Sequence, residues 1–323
     1  MSGLERRYRR LLRAYPADYR RDRGDEIVGT YLDLAGPDKR WPSPADAADL
    51  VRGGLRQRMR AAGAVDLAPG VRLAALLALT TAAFLAGLWM SGELTPPPAA
   101  WGVPRFGPFA SAGVLAWVAW VAAALLALVA PGRPTRAAVA VAVLATAAVP
   151  VVSSVAGLPR PPLIALVPQV ALGLLALAAD ARPALPARAL PAVAAVVGAG
   201  TAATQESHWA WYRWTAELVL PAAGGTLLGV AALLAAGLAM RRDRSGFWAL
   251  AALLTPVGLL NVHILAGMVD GLGGAPRPTY PTMVGTAVVV GLLGPLLLPL
   301  AVAVRRRSAS PPAGSCPTCG ARR

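Results

Sequence analysis

The sequence predicts an all-α protein, a polytopic bundle of about eight transmembrane helices behind a small N-terminal three-helix cytosolic domain. Three observations predict it. The chain is 56% hydrophobic and only 15% charged, too apolar for an ordinary soluble domain. Uncharged runs of roughly 20 residues, each long enough to cross a bilayer core, recur from about Val71 onward. The arginines of the intervening loops alternate several, one, several, one. The expected bounds are 1–68 for the cytosolic domain, 69–304 for the bundle and 305–323 for a cytosolic tail.

The N-terminal region reads as three helices. In the first, Leu4, Tyr8, Leu11, Leu12 and Tyr15 make one apolar stripe among arginines, and Pro16 ends it. The second runs from about Ala17 to Ala35, with Tyr19, Ile27, Tyr31 and Leu34 on its stripe, and Gly36-Pro37 stops it. The third opens on Ser43 as cap, Pro44 in the first turn and Asp46 three residues after the cap. Leu50, Val51, Leu55 and Met59 form its expected inner face.

Spans are expected near 71–90, 110–130, 137–156, 162–179, 189–204, 216–240, 246–269 and 282–304. The fifth is the weakest, being short with Pro191 near its start. Charge decides for it. With the N-terminus inside, cytosolic loops hold Arg133 and Arg136, then Arg182 and Arg188, then Arg241, Arg242 and Arg244, and the tail opens with Arg305, Arg306 and Arg307. External loops hold Arg105, Arg160, Arg213 and Arg277. Deleting the fifth span would place the Arg241–Arg244 cluster outside, against the positive-inside bias. Trp89, Trp101, Trp209, Trp211, Tyr212, Trp214 and Tyr280 fall near the external face, where aromatic rings favour the headgroup level.

The net charge of +15 is almost wholly arginine, Lys39 being the only lysine. So basic a chain could bind nucleic acid. The arginines instead flank hydrophobic segments, so the expected partner is the lipid bilayer and not nucleic acid. The late first apolar segment reads as a signal anchor, not a cleavable signal peptide.

Ionisable and polar residues at membrane depth are costly and mark candidate sites. Asn261 and His263 lie in the seventh span, shortly after Pro256. They read either as a small ion or solute site or as interhelical hydrogen-bonding groups. Two residues apart on a helix they point to different sides, so a shared site needs a distorted backbone. Glu217 starts the sixth span, beside Glu206, His208 and Arg213; the group reads as a metal or proton site, or as an interfacial ion pair. Asp270 is expected to be solvated. Gln169 and the Gly225-Thr226-Leu227-Leu228-Gly229 spacing read as packing features.

The tail carries Cys316-Pro317-Thr318-Cys319-Gly320, and both cysteines of the chain are here, so no disulfide framework serves its body. Cys316 and Cys319 resemble half of a zinc-ribbon knuckle, and two tails could complete a four-thiolate zinc site; they read equally as a redox-active or idle thiol pair in a disordered tail. No other cofactor is expected. There is no Walker A loop, no HExxH and no GxSxG, so the chain is not expected to be an enzyme.

Residues Tyr8-Arg9-Arg10-Leu11-Leu12-Arg13-Ala14-Tyr15-Pro16-Ala17-Asp18-Tyr19-Arg20, Arg23 to Ile27 and Ser43 to Arg56 carry a resemblance over about residues 4–60. They resemble the permease-prefix type of N-terminal module and the corresponding region of a set of uncharacterised actinobacterial multi-pass membrane proteins. The resemblance implies a sensory or regulatory role and assigns no catalytic residue. The large extracytoplasmic domain common in prefix-bearing permeases is not expected here.

The leading expectation is a multi-pass protein of the cell membrane, both termini cytosolic, whose N-terminal domain docks a cytosolic regulatory protein. The alternative is a small-solute transporter or permease component, with the polar part of span seven near the path. The third is a membrane enzyme using Glu206, His208 and Glu217.

Overall fold

The computed structural model describes residues 3–35, 39–61, 66–96, 102, 104–179, 183–204, 212, 215–273 and 277–309. These residues are all-helical and contain no strand. The chain divides into two compact units, Met1–Leu67 with Pro299–Arg323, and Ala68–Leu298.

In the first unit, α1 (Gly3–Leu11) tightens into a 3-10 turn at Leu12–Ala14, and Pro16 separates it from α2 (Ala17–Leu34); α3 spans Pro44–Ala61. Leu4, Tyr8, Leu12, Tyr15, Val28 and Leu50 form the core. The start of α3 is a reciprocal cap. The Ser43 N–H donates to Asp46 Oδ2 at 3.2 Å, and the Asp46 N–H donates to Ser43 Oγ at 3.1 Å. The core tyrosines end on the same helix, Tyr8 donating to Asp46 and Tyr31 to Asp49. Gly54 lets the chain at Ala14 pack directly on α3, since a Cβ there would lie 2.7 Å from the Ala14 carbonyl carbon. Three residues of the expected inner faces turn outward. Leu34, the last residue of α2, is exposed, and so are Val51 and Leu55, because α3 packs through Leu50 and Gly54 and that register aims the other two away.

In the second unit, α4 (Leu67–Glu93) is central, and from Leu85 to Trp89 every residue is buried, as befits a helix apolar on all sides. Around it lie α5 (Val114–Val129), α6 (Arg133–Ala156), α7 (Leu163–Ala176), α8 (Leu185–Ala203) and α9 (Leu220–Met240), the last entered through a π-helical turn at Thr215–Val219. Then come α10 (Ser245–Leu260), α11 (Val262–Leu272) and α12 (Tyr280–Ala309).

Among the described residues, five helices are long and apolar enough to cross a membrane. They are α4, α6, α8, α9 with its entry turn, and α12; a sixth arises if α10 and α11, bent by 65°, count as one broken span. The apolar helices α5 and α7 are shorter. The protein therefore has the build of a membrane protein.

Close backbone approach and buried polar bonds hold the bundle. Gly87 faces the Ala195 carbonyl and Gly198 faces the Phe84 carbonyl, so α4 and α8 cross nearly backbone to backbone. Gln169, fully buried on α7, donates to the Ala82 carbonyl of α4 at 3.0 Å, and the Trp120 indole of α5 donates to Thr146 of α6 at 2.9 Å. Gly225 and Gly229, by contrast, meet nothing within 4 Å, so their GxxxG spacing packs no helix within the described chain. The end of α9 is a Schellman turn, the Asp243 N–H donating to Leu238 O and the Arg242 N–H to Ala239 O. Arg242 takes the left-handed position there, with φ 60°.

Candidate functional site

The described ionisable residues of the bundle fall near its two ends and at one break. The first end lies where α4 stops. Glu93 is its last residue and is 1% exposed. Its main-chain carbonyl accepts from the Ala110 N–H at 3.1 Å. That register brings Ser111 under the side chain. The Ser111 N–H donates to Glu93 Oε2 and the Ser111 hydroxyl to Oε1, each at 2.5 Å. The Tyr212 hydroxyl, from the connection between α8 and α9, also donates to Oε1 at 2.5 Å. Trp89 and Trp117 pack against each other beneath, their rings tilted by 43° with centroids 4.6 Å apart, and the Trp117 indole approaches the same carboxylate without reaching hydrogen-bond geometry. One carboxylate thus gathers the end of α4, the start of α5 and the approach to α9. The Ala112 N–H donates to the Pro159 carbonyl, so the α6–α7 turn joins the same end.

Glu93 is absent from the sequence-based candidates. A signal was present: it is an isolated carboxylate directly after Trp89-Met90-Ser91-Gly92, at the end of an apolar run. A span ending at residue 90 hid it, because the helix continues to Glu93.

The opposite end holds the arginines. Gly70 near the start of α4 packs against Ser245 and Trp248 at the start of α10, beside the Arg241–Arg244 turn. Arg72, Gly132, Thr135, Ala179 and Arg188 surround one cavity there. Asp243, in the turn, accepts the Ser245 N–H at 2.8 Å, a backbone bond that holds its carboxyl below the usual range.

The break is at Asn261, between α10 and α11. Its side-chain amide donates to the Val257 carbonyl at 2.8 Å, within its own segment, and lies against Gly224 of α9. The expected interhelical bond is therefore local. Distorted backbone separates Asn261 from His263, which sits half-buried in the first turn of α11 and has no hydrogen-bond partner among the described residues. Glu217 lies exposed in the π-helical turn before α9. Asp270 is partly exposed, and its carboxylate also accepts the Thr279 N–H at 2.6 Å and the Thr282 hydroxyl at 2.7 Å, tying α11 to the start of α12.

Among the described residues no three His, Cys, Asp or Glu side chains converge as a metal site. Glu206, His208, Arg213, Cys316 and Cys319 lie outside the described residues, as do Trp209 and Trp211. Chemically, the Glu93 cluster is a clasp, because both carboxylate oxygens are occupied by protein donors. In comparisons with known proteins, no family model matches the chain, and neither a curated protein nor a solved structure is significantly similar to it.

Proposed function

We propose that the chain is a non-enzymatic protein of the cell membrane with eight spans and both termini cytosolic, whose N-terminal helical unit docks a cytosolic regulatory protein. In this reading the bundle anchors or senses, and the N-terminal unit reports. The eight spans count α5 and α7, about 24 and 21 Å long at 1.5 Å per residue, as short crossings accommodated by local bilayer thinning. They also count α10 with α11 as one bent crossing. Support for the parity comes from the ends: the starts of α4, α6, α8 and α10 gather with the arginines, and Glu93, Ser111, Pro159 and Tyr212 gather opposite. Such alternation supports a traversing α8.

The observation that carries the regulatory reading is how the two units use their side chains. In the bundle, Glu93, Gln169 and Asp270 are engaged in bonds that hold helices together, and the Asn261 amide is spent within its own segment. The N-terminal unit has a core of its own and keeps Val51 and Leu55, one turn apart on α3, exposed among Arg52 and Arg56. An apolar row rimmed by arginine is the composition of a protein-docking surface. The resemblance of residues 4–60 to permease-prefix modules points the same way.

A second reading, a small-solute permease component, draws on the 65° break at Asn261, since broken spans build transport sites. One comparison separates the two in the full-length protein. A photo-crosslinker at Leu55 should trap one discrete cytosolic protein, and Arg6→Ala with Arg10→Ala should weaken that trapping without unfolding the chain. If that pair is silent while Asn261→Leu with His263→Leu abolishes the phenotype, the permease reading replaces the regulatory one.

A further inference from the structure

The cavity at the arginine end has a volume of about 190 Å³ and two kinds of wall. Arg72 from α4 and Arg188 from α8 stand at its polar part, while Leu73, Leu76, Leu79 and Pro191 make an apolar side. Among the described residues Arg188 spends only Nε on the protein, donating to the Pro183 carbonyl at 2.8 Å. That bond fixes the plane of its guanidinium and leaves both terminal amino groups of the fork for a ligand. A third arginine lies alongside. Arg136 donates through Nε and Nη2 to the carbonyl of Ala179, itself a lining residue. The first turns of α6 and α8 also contribute lining residues, Thr135 and Arg188, so two helix N-termini add partial positive charge. No acidic side chain lines the cavity among the described residues.

We propose that this cavity binds the phosphodiester group of an anionic membrane phospholipid, with the glycerol and upper acyl chain lying along Leu73, Leu76 and Leu79. An arginine fork matches two phosphate oxygens at once. The apolar wall selects a lipid over free phosphate, because an inorganic ion gains nothing from leucine side chains. Basic pockets between transmembrane helices hold lipid headgroups in this way. The inference is independent of the partner docked by the N-terminal unit.

The test uses full-length protein in detergent, titrated with phosphatidylglycerol, with phosphatidylcholine of the same acyl chains, and with inorganic phosphate. Lipid retention is read by native mass spectrometry and stability by thermal melting. The expected result is one phosphatidylglycerol retained, about 10-fold tighter than phosphatidylcholine, with no effect of inorganic phosphate. Arg72→Gln with Arg188→Gln should abolish that preference, and Arg241→Gln with Arg244→Gln, in the α9–α10 turn outside the cavity, should keep it. Leu76→Phe, which fills the apolar wall and leaves every charge in place, should also weaken retention, and it decides the matter if the arginine pair fails to fold. Equal retention of the two lipids, stabilisation by inorganic phosphate, or full retention in Leu76→Phe would each overturn the proposal.

Discussion

Ser111 grips Glu93 by both oxygens, with its backbone N–H on Oε2 and its hydroxyl on Oε1. A backbone donor cannot turn around, whereas a hydroxyl can donate or accept. Glu93→Ala should therefore destabilise the bundle by roughly 3 kcal/mol, because it strands the buried Ser111 N–H along with the Ser111 and Tyr212 hydroxyls. Glu93→Gln should cost far less. Its carbonyl can take the Ser111 N–H while its amide donates to the two hydroxyls, which reverse. Tyr212→Phe removes one bond and should cost about 1 kcal/mol. Thermal melts of the three variants in detergent check the order Ala, then Phe, then Gln or wild type. A Gln variant as unstable as Ala would show that the hydroxyls cannot reverse.

The same cluster marks where sequence reading ends. Helix periodicity located each apolar segment, the Pro16 stop and the Ser43–Asp46 cap, because these are local effects of spacing and backbone chemistry. Glu93, Ser111 and Tyr212 are far apart in the chain, and the turn at 104–113, through the Ala110 bond to the Glu93 carbonyl, brings the first two together. No periodicity encodes that path. Leu55 was misplaced for a related reason. On a helix carrying only a few apolar residues, Leu50 and Leu55 cannot both face inward, and the glycine at position 54 settles which does.

The N-terminal unit should lose stability at both extremes of pH. Hydrogen bonding from Ser43, its side chain first, holds the Asp46 carboxyl below its ordinary range. Its contribution is complete above the unfolded carboxylate value and is lost as pH falls through the lowered one. Tyr31 is shifted upward by burial and by its bond to Asp49. Its contribution is complete below the ordinary tyrosine value, about 10, and declines as pH rises toward the raised one. Hydrogen exchange at the Ala47 amide, bonded to Ser43 O, should report the acid limb, and Asp46→Asn should flatten it. Tyr31→Phe should flatten the alkaline limb.

Glycines of the bundle should divide sharply by position. Gly198→Val places a side chain against the Phe84 carbonyl and should cost about 3 kcal/mol, with Gly87→Val similar. Gly225→Ala and Gly229→Ala enter open space on a helix and should stabilise by about 0.5 kcal/mol each. Unfolding in detergent distinguishes the pairs. A large loss at Gly225 and Gly229 would reveal a second copy of the chain packed on α9.

At the break, Asn261→Ala should cost about 1 kcal/mol, the worth of the amide bond to Val257. His263→Leu, at a residue with no described partner, should change stability by less than about 0.5 kcal/mol. Melts of the two single variants decide it. A larger effect at His263 than at Asn261 would place the important contact in α11.

The Glu93 clasp also sets a schedule for synthesis. Ser111 follows Glu93 by 18 residues, but Tyr212 follows by 119. At roughly 5–20 residues per second the ribosome delivers Tyr212 on the order of ten seconds after Glu93. Throughout that wait Ser111 is the only one of the two partners available to the carboxylate, while α5, α6, α7 and α8 are being made. The third donor therefore seals the end of α4 only after all four helices have been synthesised, which makes the clasp a late event in the assembly of the bundle.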